Sequence, residues 1–174
     1  MVNEMVVLVD ENDQDIGEME KMEAHRKGVL HRAFSVFLFN NEGELLLQQR
    51  AFSKYHSGGL WTNTCCSHPR SGEAPLEAAK RRLMEEMGFT LDDLDPQFTF
   101  IYNRKLDNEL TEHELDHVIF GRYNKVDFKF NPDEVASVKY VSLSFLREDM
   151  KVNPQEYTEW FKICFEEVER RRAV

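Results

Sequence analysis

A chain of 174 residues with 41% hydrophobic and 31% charged content is long enough to bury a core and reads as one soluble globular domain, 1–174. Its net charge of −10 excludes nucleic acid as the default partner, because phosphate neutralisation needs a basic surface, and any anionic substrate must be held by local cations. The three cysteines, two adjacent at Cys65 and Cys66 and one remote at Cys164, give no disulfide framework and point to a reducing, cytoplasmic setting.

The N-terminal residues MVNEMVVLVDENDQ lack a basic segment and turn acidic at once, unlike a signal peptide, and no apolar run approaches a membrane span. Met5–Asp10 reads as a strand ended by the turn residues Glu11, Asn12 and Asp13. Glu18–Lys27 has helical composition and stops at Gly28. His31–Phe39, rich in Phe and Val, is a strand; Asn40–Gly43 is a turn signal, and Glu44–Arg50 returns as the second arm of a hairpin. Ala51–Ser71 is a long loop without apolar periodicity, a length that in compact domains is usually functional. Pro75–Met87 is a helix with Pro in its first turn, Gly88 past its end and Leu76, Ala79, Leu83 and Met87 as its apolar stripe. Phe98–Leu106, Leu115–Val126 and Val138–Leu143 read as strands, and Pro154–Arg172 as a C-terminal helix with basic residues at its end. The expected fold class is α/β (α+β), a mixed β-sheet sandwiched between helices.

Six histidines are present: His25, His31, His56, His68, His113 and His117. Strand period puts Glu112, Glu114 and Asp116 on one face and His113, Leu115 and His117 on the other. Imidazoles with carboxylates suit a divalent cation such as Zn, Mn or Mg. Cys66 stands beside His68 ahead of the helix, where a metal or imidazolium would lower the pKa of a thiol; its neighbour Cys65 should face the other way. On the helix, Arg82 and Glu86 share a face flanking the apolar stripe, while Arg81 and Glu85 lie further round, towards solvent. Lys21, Arg50 and Lys54 are further cations on or near loops. Taken singly, each of these residues has an ordinary structural explanation, Trp160 and Tyr102 included.

Together, three segments carry a resemblance to the type I isopentenyl diphosphate isomerases, which have a Nudix fold. TNTCCSHP at Thr62–Pro69 resembles the catalytic cysteine loop of that family, EHELD at Glu112–Asp116 its catalytic glutamate strand, and EKMEAHRKGVLHRAFS at Glu20–Ser35 its two-histidine segment. The helix resembles a degenerate Nudix box: Glu73, Arg81, Leu83, Glu85, Glu86 and Gly88 fit, Ser67 replaces the first Gly, and Arg82 replaces the Glu after Arg81. The last departure turns a metal-binding carboxylate into a cation suited to holding a diphosphate, which favours isomerisation over hydrolysis.

The resemblance implies a Nudix-like fold and one divalent metal (Mn, Mg or Zn) on His25, His31, His68, Glu112 and Glu114. It implies Mg held with the substrate diphosphate near Glu86, and Lys21, Arg50, Lys54 and Arg82 as diphosphate-binding residues. Cys66 and Glu114 would face opposite sides of the isopentenyl group, with Trp160 over the reacting carbons, and whether Cys66, Glu114 or Tyr102 delivers the first proton stays open. The implied partner is a small allylic or homoallylic diphosphate, with no nucleic acid and no membrane, the chain acting as a monomer or weak homodimer. The rival readings are a Nudix diphosphohydrolase using the same cleft and a metal-dependent binding module without turnover.

Overall fold

In the computed structural model, which describes residues 3–172, the chain is organised around β3, His31–Phe39. Eight of its nine residues are buried, so both of its faces are covered. One edge of β3 pairs in parallel with β8, Thr111–Arg122, in a register that sets His31 opposite Glu114 and Ala33 opposite Asp116. The other edge is shared by three strands. β1, Met5–Val9, meets it at His31; β6, Cys65–Ser67, along Phe34–Val36; and β4, Leu45–Arg50, at Phe39. The sheet is completed by β2 (Asp15–Glu20) on β1, β5 (Trp61–Thr62) and β9 (Val135–Val141) on β4, and β7 (Leu94–Lys105) on β8.

Period-two alternation along β3 sends side chains to two cores. Phe34, Val36 and Leu38 pack with Ala78, Ala79, Leu83 and Met87 of α2, Pro75–Met87. Phe37 and Phe39 pack with Trp160, Phe161, Phe165 and Val168 of α4, Glu159–Arg172, and with Leu146 of α3, Leu143–Val152. The mixed sheet is thus sandwiched between helices. Each buried Leu, Met or Phe contributes ~1.5–3 kcal/mol relative to exposure, so the two layers hold the sheet from both sides. Among the described residues no helix is long and apolar enough to cross a membrane.

The ends of α2 follow local rules. Pro75 at its first turn lacks an N–H that would be unpaired there anyway. At the other end Gly88 adopts φ +80°, and a Cβ there would meet the Lys129 carbonyl oxygen at 2.4 Å, so only Gly fits.

Four local readings change. The segment Glu18–Lys27 divides: Glu18–Glu20 belong to β2, and α1 is Lys21–Lys27, capped by the Glu20 carboxylate, which accepts from the Met22 and Glu23 N–H groups. β3 and β4 do form a turn, but they pair only at Phe39 and Leu45 before diverging to β8 and β9, so the hairpin is not a ladder. The long loop contains β5 and β6, and α3 precedes the C-terminal helix, which begins at Glu159 after a 3-10 turn at Pro154–Glu156.

Candidate active site

Four histidines from four parts of the chain converge beside β8. His25 comes from α1, His31 from the start of β3, His56 from the loop after β4 and His68 from the loop after β6. Ring centroids of His25 lie 5.0, 5.6 and 5.7 Å from those of His31, His56 and His68. The Nδ1 atoms of His25 and His31 meet backbone carbonyls, Lys21 at 2.7 Å and Val29 at 2.8 Å. A carbonyl only accepts, so both Nδ1 atoms carry the hydrogen and both Nε2 atoms present a lone pair in the neutral ring. Those two Nε2 atoms are buried without a hydrogen-bond partner. Burial pulls the pKa of His25 down to about 4 and that of His68 to about 4, which keeps both rings neutral as ligation requires.

The carboxylates meet them from β8. Glu114 Oε2 lies 3.3 Å from His31 Nε2 and 2.7 Å from His68 Nε2; Glu112 Oε1 lies 3.1 Å from His56 Nε2 and 4.0 Å from His25 Nε2. A carboxylate oxygen and an imidazole lone pair at 3.3 Å repel unless positive charge sits between them. A proton on His31 is one answer, and burial, which opposes it, is outweighed by the Glu114 carboxylate 3.3 Å away, so the His31 pKa rises. A divalent cation is the other, and the orphaned Nε2 atoms with adjacent carboxylates fit it. For Glu114, burial is outweighed by His68 and His31, which hold its carboxyl well below the usual range.

β8 turns Glu112, Glu114 and Asp116 into an open, mostly polar cleft. His113 and His117 turn outward to the Gly28 carbonyl and to Asp13. The Tyr102 hydroxyl lies between Glu112 Oε2, at 2.9 Å, and Glu114 Oε1, in a shorter contact still. Asp116 accepts from Ser35 Oγ at 2.7 Å, and burial together with the charge of Glu114 pushes its pKa well up. Cys66 lines this cleft, while Cys65 is buried on the α2 side of the sheet. Burial, with Glu86, Asp116 and Glu112 nearby, pushes the Cys66 thiol up despite Arg50, so the protein's own groups hold it as a protonated thiol at neutral pH. Trp160, 3% exposed, closes one side; its Nε1 donates to Asn63 Oδ1 at 3.2 Å, and the Arg50 guanidinium carbon lies 5.3 Å from its ring centroid.

Lys21, Arg50, Lys54 and Arg82 line the same cleft, beside Glu86. The Nε atoms of Arg50 and Arg82 are buried donors without partners, which suits an anion. Arg82 donates to Glu85 at 2.6 Å and to Glu86 at 2.9 Å. Arg81 is not simply solvated, since its guanidinium is paired with Glu73 at 2.8 Å.

Several residues of this site escape sequence reasoning. Glu134 lies 2.6 Å from Lys54 Nζ and 3.4 Å from Arg82, and Glu4 pairs with Lys21. Tyr55, half-buried, lies under the Lys21 and Lys54 ammonium groups, 4.6 and 5.5 Å from its ring centroid. Cys65 Sγ donates to Glu86 Oε2 at 2.7 Å. Only His56 carried a signal, as an imidazole in the long loop that also holds Lys54.

The fold and the α2 box define a class. The NUDIX domain profile matches residues 29–161. Among solved structures, a Deinococcus radiodurans protein superposes with a TM-score of 0.76 at 20% identity, covering 92% of this chain and 96% of that one. A MutT protein from Methanosarcina mazei gives 0.64 at 22% identity, over 82% and 94%. At such identities these two establish the fold alone. Sequence relatives are nearer. The isopentenyl-diphosphate Delta-isomerase of Pectobacterium atrosepticum is 56% identical over 92% of this chain and 88% of its own length. Isopentenyl-diphosphate Delta-isomerase 1 of Aromatoleum aromaticum is 52% identical over 96% and 93%. The chain belongs to the Nudix family and, within it, to the isopentenyl-diphosphate Delta-isomerases.

Proposed function

We infer that this chain is an isopentenyl-diphosphate Delta-isomerase: it interconverts isopentenyl and dimethylallyl diphosphate by adding a proton at one carbon and removing one from another. The observation that carries this reading is that one cleft joins acid, base and aromatic side chains to four cations and a histidine–carboxylate cluster.

Protonating an unactivated alkene needs a positioned acid and the exclusion of water. In our reading Cys66 and Glu114 serve the two sides of the isopentenyl group. The Cys66 thiol keeps its proton and the Glu114 carboxylate is ionised, so one side offers a proton while the other can accept one. Tyr102, in contact with both Glu112 and Glu114, can pass a proton to or from either carboxylate. The face of Trp160 stabilises the tertiary cation by cation–π attraction, worth ~2 kcal/mol when desolvated. Lys21, Arg50, Lys54 and Arg82 hold the diphosphate, Arg82 by a guanidinium fork.

His25, His31, His68, Glu112 and Glu114 would hold a divalent cation (Mn, Mg or Zn), and Glu86 would hold Mg together with the diphosphate. When bound, a cation in the first site supplies positive charge that acidifies the carboxyl of Glu114. Hydrolysis is disfavoured by Arg82, which puts a guanidinium where the hydrolase box has a metal-binding Glu and which also engages the Glu85 carboxylate. We take 1–174 as one Nudix-like domain, of which residues 1, 2, 173 and 174 lie outside the described residues. It would act in the cytoplasm as a monomer or weak homodimer.

The deciding experiment is proton NMR of isopentenyl diphosphate with the protein and Mg in deuterated water. Dimethylallyl signals with deuterium incorporation are expected. Phosphate release without isomerisation would establish the hydrolase instead, and binding without either reaction would establish a module without turnover.

A further inference from the structure

His56 lies outside the ligand set that the isomerase resemblance supplies. It is 1% exposed and lines the cleft. Its Nε2 is 3.1 Å from Glu112 Oε1, yet the ring N–H direction misses that oxygen and Nε2 has no hydrogen-bond partner. Its Nδ1 is 3.0 Å from Ser57 Oγ, and a hydroxyl can donate or accept, so the ring is free to present Nε2 as a lone pair. An unpartnered ring nitrogen buried beside a carboxylate costs stability unless something fills the gap.

Two groups of donor atoms overlap here. Those of His25, His31 and His68 all lie within 4.8 Å of one another, and so do those of His25, His56 and Glu112. His25 belongs to both. Its Nδ1 hydrogen is committed to the Lys21 carbonyl, so Nε2 holds the only lone pair the ring can offer. One lone pair serves one ion. The two groups therefore meet at a single ion and do not form a pair of ions side by side.

We propose that His56 is a sixth protein ligand of this centre, which then has four imidazoles and two carboxylates. The proposal rests on the reading that the cluster binds a divalent cation. It has two chemical consequences. Imidazole-rich donor sets suit Zn, Ni, Cu and Fe, whereas Mg and Mn suit carboxylate, carbonyl and water, so His56 moves the preference of the site away from Mg. Six protein donors also close the ion to substrate, so it acts on the reaction through Glu114 and the diphosphate goes to the cations at the other end of the cleft.

The test is proton NMR of the Co(II)-loaded full chain, with elemental analysis of bound cobalt. Expected are one ion per chain and four hyperfine-shifted imidazole systems in the wild type, falling to three in His56→Ala. In calorimetry His56→Ala should weaken Ni(II) by at least about tenfold, the lower end of what even outer-sphere losses cost, and weaken Mn(II) less. Three imidazole systems in the wild type would overturn the proposal, and that count decides even if the variant does not fold. Two ions per chain, or unchanged Ni(II) affinity in His56→Ala, would overturn it as well. Failure to bind cobalt at all would remove the metal reading with it. Failure of the isomerase reading would appear in the turnover assay and leave these counts untouched.

Discussion

Cys65 and Cys66 differ by one position on a short strand, and that step separates two kinds of chemistry. Cys66 faces the cleft as a protonated thiol; Cys65 faces α2 and donates to Glu86. Cys66→Ala should lower kcat by several orders of magnitude with the thermal transition intact, measured by isopentenyl diphosphate turnover and calorimetry. Sequence alternation alone predicts almost no effect at Cys65, but the contact with a buried carboxylate changes that. A hydrogen bond to a charged group is worth ~1.5–3 kcal/mol, so Cys65→Ala should cost stability in that range in urea unfolding. Cys65→Ser, which keeps a donor, should recover much of the loss; equal losses for Ala and Ser would show that Cys65 matters only by its packing. That the two cysteines face opposite ways was legible from their adjacency, and that Cys66 is the one in the cleft was legible from the resemblance of its loop. The Cys65–Glu86 contact was not, because it depends on how α2 lies across β6, which no spacing within either element encodes.

Helix α2 could be read to both of its ends, because Pro75, Gly88 and the 3.6-residue stripe are local signals. β2 and α3 could not. β2 is an edge strand with four of its six residues exposed, and α3 buries only Leu146, so neither carries much apolar periodicity. The Asn40–Gly43 turn announced itself, but the partners of β3 and β4 beyond it are set by strands far along the chain. What α2 contributes to function rests on Arg82. Arg82→Ala should raise KM for isopentenyl diphosphate more than it lowers kcat, because the diphosphate is bound similarly in ground and transition states. Steady-state kinetics with an unchanged KM would reject this account of the helix. Arg82→Glu should weaken binding further by like-charge repulsion. Glu134, tethered beside α2 by the Asn131 N–H bond to the Glu86 carbonyl, gives a sharper test because two effects oppose each other. Removing its charge makes the cleft more positive, but it also releases Lys54, which it holds at 2.6 Å. Lys54 sits on a flexible four-carbon stem, so the loss of its anchor should win, and Glu134→Gln should weaken inorganic pyrophosphate binding in calorimetry. Tighter binding would show that charge outweighs position.

On the scale of the whole molecule, the histidine–carboxylate cluster ties together five segments of the chain. α1, the start of β3, the loop after β4, the loop after β6 and β8 each contribute a side chain. His25 and His31 have the H-x5-H spacing that a zinc finger can use, but no C-x2–4-C pair accompanies them and His56 and His68 stand far along the chain, so the convergence of all four was legible through resemblance to a family and not through spacing. Convergence from five segments has a thermodynamic consequence, because an unfolded chain cannot present this donor set and binding energy becomes folding energy. A cation at a hundred times its Kd should stabilise the native state by ~2.7 kcal/mol. For a domain of this size each kcal/mol moves Tm by ~2–4 °C, so the expected rise over chelator-treated protein is ~5–11 °C. His31→Ala should bind metal more weakly and lose most of that rise at the same concentration. Its metal-free form should not be much less stable than metal-free wild type, since the variant removes the close approach of Nε2 to Glu114 along with the ligand. Differential scanning calorimetry of both proteins, with chelator and with Zn or Mn, separates the two effects. A wild-type Tm that does not respond to either metal would mean that the cluster is held by protons alone.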